Sequence, residues 1–117
     1  MLSLPATVRM FLCAQPIDMR KSFDGLTGLV ESALALDPLS GHLFLFLNKR
    51  RDRLKILFWE RDGLVIWYKR LEAGTFQWPT LDERTSQVEL SMTDLALLLT
   101  GVDVASARRR KRYRRAG

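Results

Sequence analysis

Two apolar runs in the middle of the chain place the strongest constraint on its fold. Residues 43–47 read LFLFL, residues 54–59 read LKILFW, and the six residues between them are polar, four of them basic. Runs of this length joined by a polar loop are typical of a β-hairpin. The second run is apolar on both sides, with Ile56 on one face and Leu57 on the other. Because an antiparallel sheet with one face in water alternates apolar and polar residues, we expect both faces of this sheet to be covered.

The segment before the hairpin predicts a strand followed by a helix. Residues 7–13 alternate in the manner of a strand that ends at Pro16. Apolar residues then recur at helical spacing, at Met19, Phe23, Leu26, Val30, Ala33 and Leu34. Asp18 occupies the expected N-cap, and Asp37 followed by Pro38 supplies the stop. We therefore predict a helix that begins at about residue 19.

Turn signals after the hairpin predict a meander of three or four strands. Asp62 and Gly63 form a pair that favours positive φ angles and leads into a strand at residues 64–71. Residues 75–78 predict a short fourth strand, which Pro79 closes because proline cannot donate to a sheet ladder.

The last part of the predicted domain reads as an edge strand and a second helix. Residues 88–90 fit the strand, and Ser91 with Asp94 has the spacing of a capping box. The short amphipathic helix that follows is expected to end at Gly101. Together these elements predict an α+β fold with a mostly antiparallel sheet: strand, helix, three- to four-stranded meander, helix and a basic C-terminal tail.

Positive charge is concentrated in that tail. Of the 19 Lys and Arg residues, seven lie within residues 108–115, and no acidic residue follows Asp103. Residues 1–107 carry 12 basic and 13 acidic residues and are close to neutral. We therefore divide the chain into one α+β domain, residues 1–107, and a basic tail, residues 108–117. Runs of like charge commonly bind polyanions, nucleic acid first, although a solvated tail without a partner is the alternative.

Composition excludes several classes of protein. The longest apolar runs have five residues, whereas a membrane span needs about 18, and the stretch at residues 10–14 is too short for a secretory signal. We expect a cytoplasmic protein that associates with the nucleoid when it binds DNA, and no membrane partner. Cys13 and His42 are the only cysteine and histidine, which excludes an internal disulfide and a Cys/His zinc site.

Four blocks of sequence, in order along the chain, carry a resemblance to a known family. They read DMRKSFDGL at 18–26, DPLSGHLFLF at 37–46, LKILFWERDGL at 54–64 and KRLEAGTFQWP at 69–79. The chain resembles the small accessory protein of the insertion sequence 66 family of bacterial transposons. This resemblance implies a protein that is encoded beside a separate DDE-type transposase and needed for transposition, with no defined biochemical activity of its own.

Two groups of basic residues in the domain are candidate DNA contacts. Arg20 and Lys21 fall in the first turn of the predicted helix, where the dipole disfavours cations but free N–H groups bind anions, so we expect a phosphate clamp. The alternative is that Arg20 pairs with Asp24 and Lys21 lies along the helix. The hairpin tip supplies the second group, which could follow a groove and contact phosphates: Lys49, Arg50, Arg51 and Arg53. A solvated turn is the alternative for the tip.

The tail supplies the third group of candidate contacts, with Tyr113 placed to stack on a base. Its members are Arg108, Arg109, Arg110, Lys111, Arg112, Tyr113, Arg114 and Arg115. Arg61, Lys69 and Arg70 are secondary candidates, if their strands face the same way as the tip. The three tryptophans, Trp59, Trp67 and Trp78, are expected in the core rather than stacked on bases.

The sequence carries no pattern typical of an enzyme. The carboxylates that a two-metal nuclease could use show no nuclease spacing: Asp18, Asp24, Glu60 and Asp62. We expect no catalysis, no metal and no cofactor. The leading hypothesis is a noncatalytic accessory protein that binds DNA, at the element ends or the target, mainly electrostatically and assists the transposase. The alternative is an interaction module whose apolar sheet face forms a homo-oligomer or docks on the transposase without binding DNA.

Overall fold

The computed structural model describes residues 7–77 and 84–100, together with the backbone of residues 102–103 and 108–109. The elements are β1 Met10–Cys13, α1 Phe23–Ser32, β2 Leu43–Leu47, β3 Arg53–Glu60, β4 Gly63–Arg70, β5 Gln87–Leu90, α2 Met92–Thr100, β6 Val102–Asp103 and β7 Arg108–Arg109. The first five strands form one sheet in the order β4-β3-β2-β1-β5, and β6 pairs with β7. The predicted α+β fold with a mostly antiparallel sheet is confirmed.

A β1–α1–β2 crossover sets the order of the sheet. β1 and β2 pair in parallel, with Met10 opposite Leu43, whereas the other ladders are antiparallel. Parallel neighbours need a crossover connection, and here α1 provides it. The helix buries Leu26 and Val30 against one face of the sheet, beside Phe44 and Leu57.

The opposite face of the sheet is covered by α2 and by the segment that follows β4. Leu95 and Leu98 of α2 pack with Ile56 and with Phe76, whose side chain is 1% exposed. Both sheet faces are therefore covered from within the chain, as the doubly apolar strands predicted.

The structure corrects three local predictions. Residues 75–77 form no strand; instead the backbone N–H of Phe76 donates to the Arg51 carbonyl at 2.7 Å and its ring enters the core. The two-residue turn before β4 has its positive φ at Arg61, 54°, and not at Gly63, because the closing pair of the hairpin is Glu60 with Gly63. Trp78, Pro79 and Gly101 lie outside the described residues.

The third correction concerns the first helix, which begins at Phe23 rather than at residue 19. Lys55, only 7% exposed, reaches from β3 to this segment and donates through Nζ to the carbonyls of Met19, at 2.8 Å, and Lys21, at 2.7 Å. In a helix from residue 19, these carbonyls would accept from backbone N–H groups one turn later. The buried ammonium takes them instead, so the helix starts after Lys21.

The C-terminal part of the domain follows the sequence closely. The Ser91 hydroxyl accepts from the Asp94 N–H and the Asp94 carboxylate accepts from the Ser91 N–H, each at 3.0 Å, which is the predicted capping box. β5 covers residues 87–90, as expected for an edge strand.

No helix within the described residues has the length and apolar character that crossing a membrane requires.

Replacing the buried lysine tests its role in the fold. Lys55→Met keeps the length of the side chain but leaves two carbonyls without their charged donor, so we expect a loss of about 3 kcal/mol in the free energy of unfolding. The control is Lys69→Met on β4, an exposed lysine, which should change stability by less than about 0.5 kcal/mol. Urea unfolding followed by tryptophan fluorescence measures both. Equal effects of the two substitutions would contradict this role.

Candidate nucleic-acid interface

The loop that joins β2 to β3, residues 48–52, is held by the side chain of Asn48. Its Oδ1 accepts from the backbone N–H groups of Asp52 at 3.1 Å and Arg53 at 3.0 Å, and its Nδ2 donates to the Asp52 carboxylate at 2.6 Å. Two further hydrogen bonds connect the loop to the segment after β4. The Arg51 carbonyl accepts from the Phe76 N–H, and the Asp52 carbonyl accepts from the Leu71 N–H, each at 2.7 Å. The backbone of the tip is thus held by hydrogen bonds on both sides and forms an ordered platform.

The platform presents three exposed cations in succession, Lys49, Arg50 and Arg51. Within the described part of the chain, none of the three forms a salt bridge. The nearby Asp52 is half-buried and bound by Asn48. Arg53 is half-buried, and its Nη1 donates to the Tyr68 hydroxyl at 3.3 Å. The predicted tip cations are therefore brought together, with Arg53 set back from the other three.

The segment that precedes α1 lies beside this loop. The Ile17 N–H donates to the Leu47 carbonyl at 2.9 Å, and Lys55 binds the next turn of chain from below. Residues 17–19 and residues of the loop line one open depression of about 340 Å³. The two basic groups of the domain, which are far apart in sequence, are consequently neighbours on one surface. We call residues 17–21 and 48–53 the basic edge.

Arg20 and Lys21 do not lie in the helical turn that the sequence predicted. Both residues precede α1, which begins at Phe23. The guanidinium of Arg20 binds Asp18 through Nε, at 2.9 Å, and Nη2, at 2.7 Å, and not Asp24. The predicted pair with Asp24 is wrong, because Asp18 accepts the bonds of Arg20 instead of capping a helix, whereas a phosphate contact by Arg20 and Lys21 stays a prediction.

Lys21 remains an exposed cation at the margin of the basic edge. Its side-chain stem lies along α1, where a Cβ built on Gly25 would stand 3.2 Å from the Cβ of Lys21. The absence of a side chain at Gly25 therefore leaves room for this stem, as the alternative interpretation of Lys21 expected.

Of the three secondary basic candidates, only Arg70 lies beside the basic edge, because it pairs directly with Arg53. Arg61 lies in the turn at the opposite end of β3 from the basic edge. Lys69 and Arg70 lie near the tip but on opposite faces of β4, because successive residues of a strand alternate. Arg70 also binds Glu72 through Nε and Nη2. Of the tail, only the backbone of Arg108 and Arg109 is described, and Arg110 to Arg115 lie outside the described residues.

The candidate nuclease carboxylates do not converge. Asp18 binds Arg20, and Asp24 lies in the first turn of α1. Glu60 ends β3, and Asp62 lies in the turn before β4. Among the described residues, no three His, Cys, Asp or Glu side chains are grouped as a metal site would require.

The remaining candidates have packing or structural contacts. Cys13 packs beneath α1, where burial raises the pKa of its thiol. His42 accepts from the Arg9 N–H through Nδ1 at 2.9 Å and stands edge-on to Phe11. Trp67 packs against the core while Trp59 is half-buried, so neither is free to stack on a base as an exposed ring would be.

Two residues that organise the site were missed by the sequence analysis. Lys55 is the one charged residue in the apolar run at residues 54–59. A charged residue within such a run was the signal that could have identified it. Asn48 precedes Asp52 by four residues in a short loop, a spacing that allows a side-chain bond across it. Neither signal identifies a partner, because the partners of Lys55 are backbone carbonyls that are 34 and 36 residues away.

Comparisons with known proteins identify relatives over most of the chain. Residues 8–109 match the family described as IS66 Orf2 like protein. Two relatives from Sinorhizobium fredii (strain NBRC 101917 / NGR234) are similar. "Uncharacterized protein y4jC" is 35% identical over 103 residues, 88% of this chain and 86% of the relative. "Uncharacterized protein y4hO" is 33% identical over 103 residues, 88% of each chain. No solved structure matches.

The pair between Asp18 and Arg20 makes a prediction about titration. Hydrogen bonds from the Arg20 side chain, then from its backbone N–H, lower the pKa of Asp18 to about 2. The pair therefore stabilises the fold above the ordinary carboxyl pKa of about 4, and this contribution is lost as the pH falls towards 2. Arg20→Gln should return the pKa of Asp18 towards its ordinary value in a carboxyl carbon NMR titration. Lys21→Gln removes the same charge one residue away and should shift it far less; equal shifts would contradict the pair.

Proposed function

Since the chain belongs to the family of IS66 Orf2-like proteins, which are accessory to the transposition of an insertion sequence, we propose that it binds duplex DNA and assists a separate transposase without catalysing a step itself. The DNA bound would be the element ends or the target. The partners of the protein are then DNA and the transposase of the same element.

The observation that carries this proposal is the ordered tip with its three exposed cations. Lys49, Arg50 and Arg51 have no salt bridge to break within the described residues, and the loop beneath them is already fixed by Asn48. Binding a phosphate therefore costs little ordering of the backbone. Cations held in this way contact phosphates, which positions a protein on DNA without reading its sequence.

The tail supplies the larger share of the proposed electrostatic attraction. Its seven cations follow a domain that is close to neutral, so the positive potential arises at the tail and at the basic edge. On duplex DNA, each neutralised phosphate contributes about −0.9 to the slope of log K against log salt concentration. Tyr113 would add stacking on a base.

The carboxylates of the domain support a noncatalytic role through the bonds they already make. Asp18 binds Arg20, Asp52 binds Asn48, and Asp94 caps α2. Glu72 and Glu89 bind Arg70 and Arg9. A nuclease would need several carboxylates directed at one pair of ions, whereas these point to separate local partners.

Neutralising the tip should flatten the salt dependence of DNA binding. In the full chain, Lys49→Gln, Arg50→Gln and Arg51→Asn together should reduce the slope by about 2.7, from three phosphate contacts. Binding to an element end and to a scrambled duplex is measured by fluorescence anisotropy over a range of salt concentrations. The expected loss is the same on both duplexes, because phosphate contacts carry no sequence information.

A matched control is provided by two arginines in equivalent turns. Arg51 and Arg61 both have positive φ, 59° and 54°, and both are exposed, so asparagine is tolerated in either position. Arg51→Asn should reduce the slope by about 0.9, and Arg61→Asn should leave it unchanged. If the two substitutions act equally, the basic edge has no special role in binding.

The tail is best tested in the full chain, because a truncation before residue 108 would delete β7. Replacing Arg110, Lys111, Arg112, Arg114 and Arg115 by Gln should reduce the slope by about 4.5, from five phosphate contacts. Any preference for the element end that survives this change lies in the domain. Binding that is unaffected by both the tip and the tail variants would overturn the DNA-binding proposal.

A further inference from the structure

β4 forms one edge of the sheet, and its outer side is unpaired within the described residues. The strand is eight residues long and pairs with β3 without a bulge, from Arg53 opposite Arg70 to Glu60 opposite Gly63. It contains no proline. Proteins commonly protect an edge of this kind with a bulge, a proline or a short strand, because unpaired backbone groups attract another strand. β5, at the other edge, is only four residues long.

The unpaired backbone groups of β4 can be assigned to particular residues. The Leu71 N–H donates to the Asp52 carbonyl, so residue 71 turns its N–H towards β3. Because this direction alternates along an antiparallel ladder, the odd-numbered residues of β4 bond to β3. Leu64, Ile66, Tyr68 and Arg70 therefore present their N–H and C=O groups outward.

The side chains along this edge are more apolar than an edge exposed to water requires. Leu64, Val65, Ile66 and Trp67 are each half-buried, and the Tyr68 ring is 46% exposed. The ring is fixed in place by Lys55, whose Nζ is 4.8 Å from its centre, and by Arg53. An ordered, partly exposed apolar row beside free backbone groups is a surface suited to another β-strand.

We propose that the occupant of this edge is β4 of a second copy of the chain, so that two sheets join into one of ten strands. An antiparallel pair related by a two-fold axis places the same face of both sheets on the same side. Residues directly opposite each other across the new ladder must then lie on the same face. The two-fold axis can therefore pass only between one residue of β4 and the same residue of the partner, and not between two successive residues. With the axis through Ile66, Leu64 lies opposite the partner's Tyr68, and Val65 lies opposite the partner's Trp67.

Charge complementarity selects a second copy and this register. With the axis at Ile66, Asp62, in the turn that immediately precedes β4, lies next to the partner's Arg70, and the pair occurs twice by symmetry. Arg70 donates to Glu72 through Nε and Nη2, so its Nη1 takes part in neither of these hydrogen bonds. Moving the axis to Trp67 would instead place Asp62 opposite the partner's Glu72, and like charges in that position are destabilising.

The dimer does not depend on DNA binding, so it is tested without nucleic acid. Size-exclusion chromatography with light scattering on the full chain, after nuclease treatment, should give twice the 13.5 kDa mass of the chain. Arg70→Glu should return the mass to that of one chain at the same concentration. The double variant Asp62→Arg with Arg70→Glu should restore the dimer, although the bond to Glu72 is still lost.

A second pair of variants distinguishes backbone hydrogen bonding between the two β4 strands from contacts made by the Tyr68 ring. Tyr68→Pro and Tyr68→Ala both remove the tyrosine, but only proline also removes the outward N–H, a change that an edge strand tolerates. The proline variant should be monomeric where the alanine variant still dimerises. A wild-type chain of single mass at all concentrations, even one that binds the transposase, would overturn the proposal, as would a dimer that Arg70→Glu leaves intact.

Discussion

The buried ammonium of Lys55 is the interaction on which the arrangement of the basic edge depends. Placed on β3 and almost fully buried, it donates to two carbonyls of the segment that precedes α1 and lies over the face of Tyr68 on β4. A charge in this position is stable only when strong acceptors surround it. It therefore connects three parts of the chain: β3, the edge strand β4 and the segment beside the loop. Together with the hydrogen bond from the Ile17 N–H to the Leu47 carbonyl, it holds the segment of Arg20 and Lys21 beside the loop.

The loop shows how a chain can hold like charges close together in an ordered structure. Lys49, Arg50 and Arg51 repel one another, and a flexible turn would let them separate. Asn48 opposes this by bonding to two backbone N–H groups of the loop, and Phe76 and Leu71 bond to its carbonyls. Neutral hydrogen bonds thus hold the backbone, and no carboxylate in the part of the chain that the structure describes forms a salt bridge with the three side chains. The electrostatic repulsion that remains would be relieved when a polyanion binds.

Sequence reasoning succeeded where local patterns decide the structure. The apolar runs at β2 and β3, the capping box of α2 and the need to cover both sheet faces were each readable from residue spacing. It failed where a distant residue competes with the local pattern. The apolar spacing from Met19 is helical, yet Lys55 takes the carbonyls that the first turn would use. Likewise, residues 75–77 have strand-like composition, but Phe76 fills the core under β3. The position of the basic edge followed from these distant contacts, so spacing alone could not reveal it.

The distribution of charge has a consequence for how the proposed accessory role would work. In the proposed role, contacts from the tip and the tail to phosphates would add affinity on any duplex, and this affinity would fall steeply with salt. Such contacts would supply little discrimination between the element end and other DNA, because base edges carry the sequence information. A protein of this kind would raise the local concentration of its partner on DNA. Dimerisation through β4 would strengthen this effect, because two tips and two tails on one particle bind together more tightly than either alone. The placement of the charges and the exposed edge of β4 therefore both favour a protein that concentrates its partner on DNA.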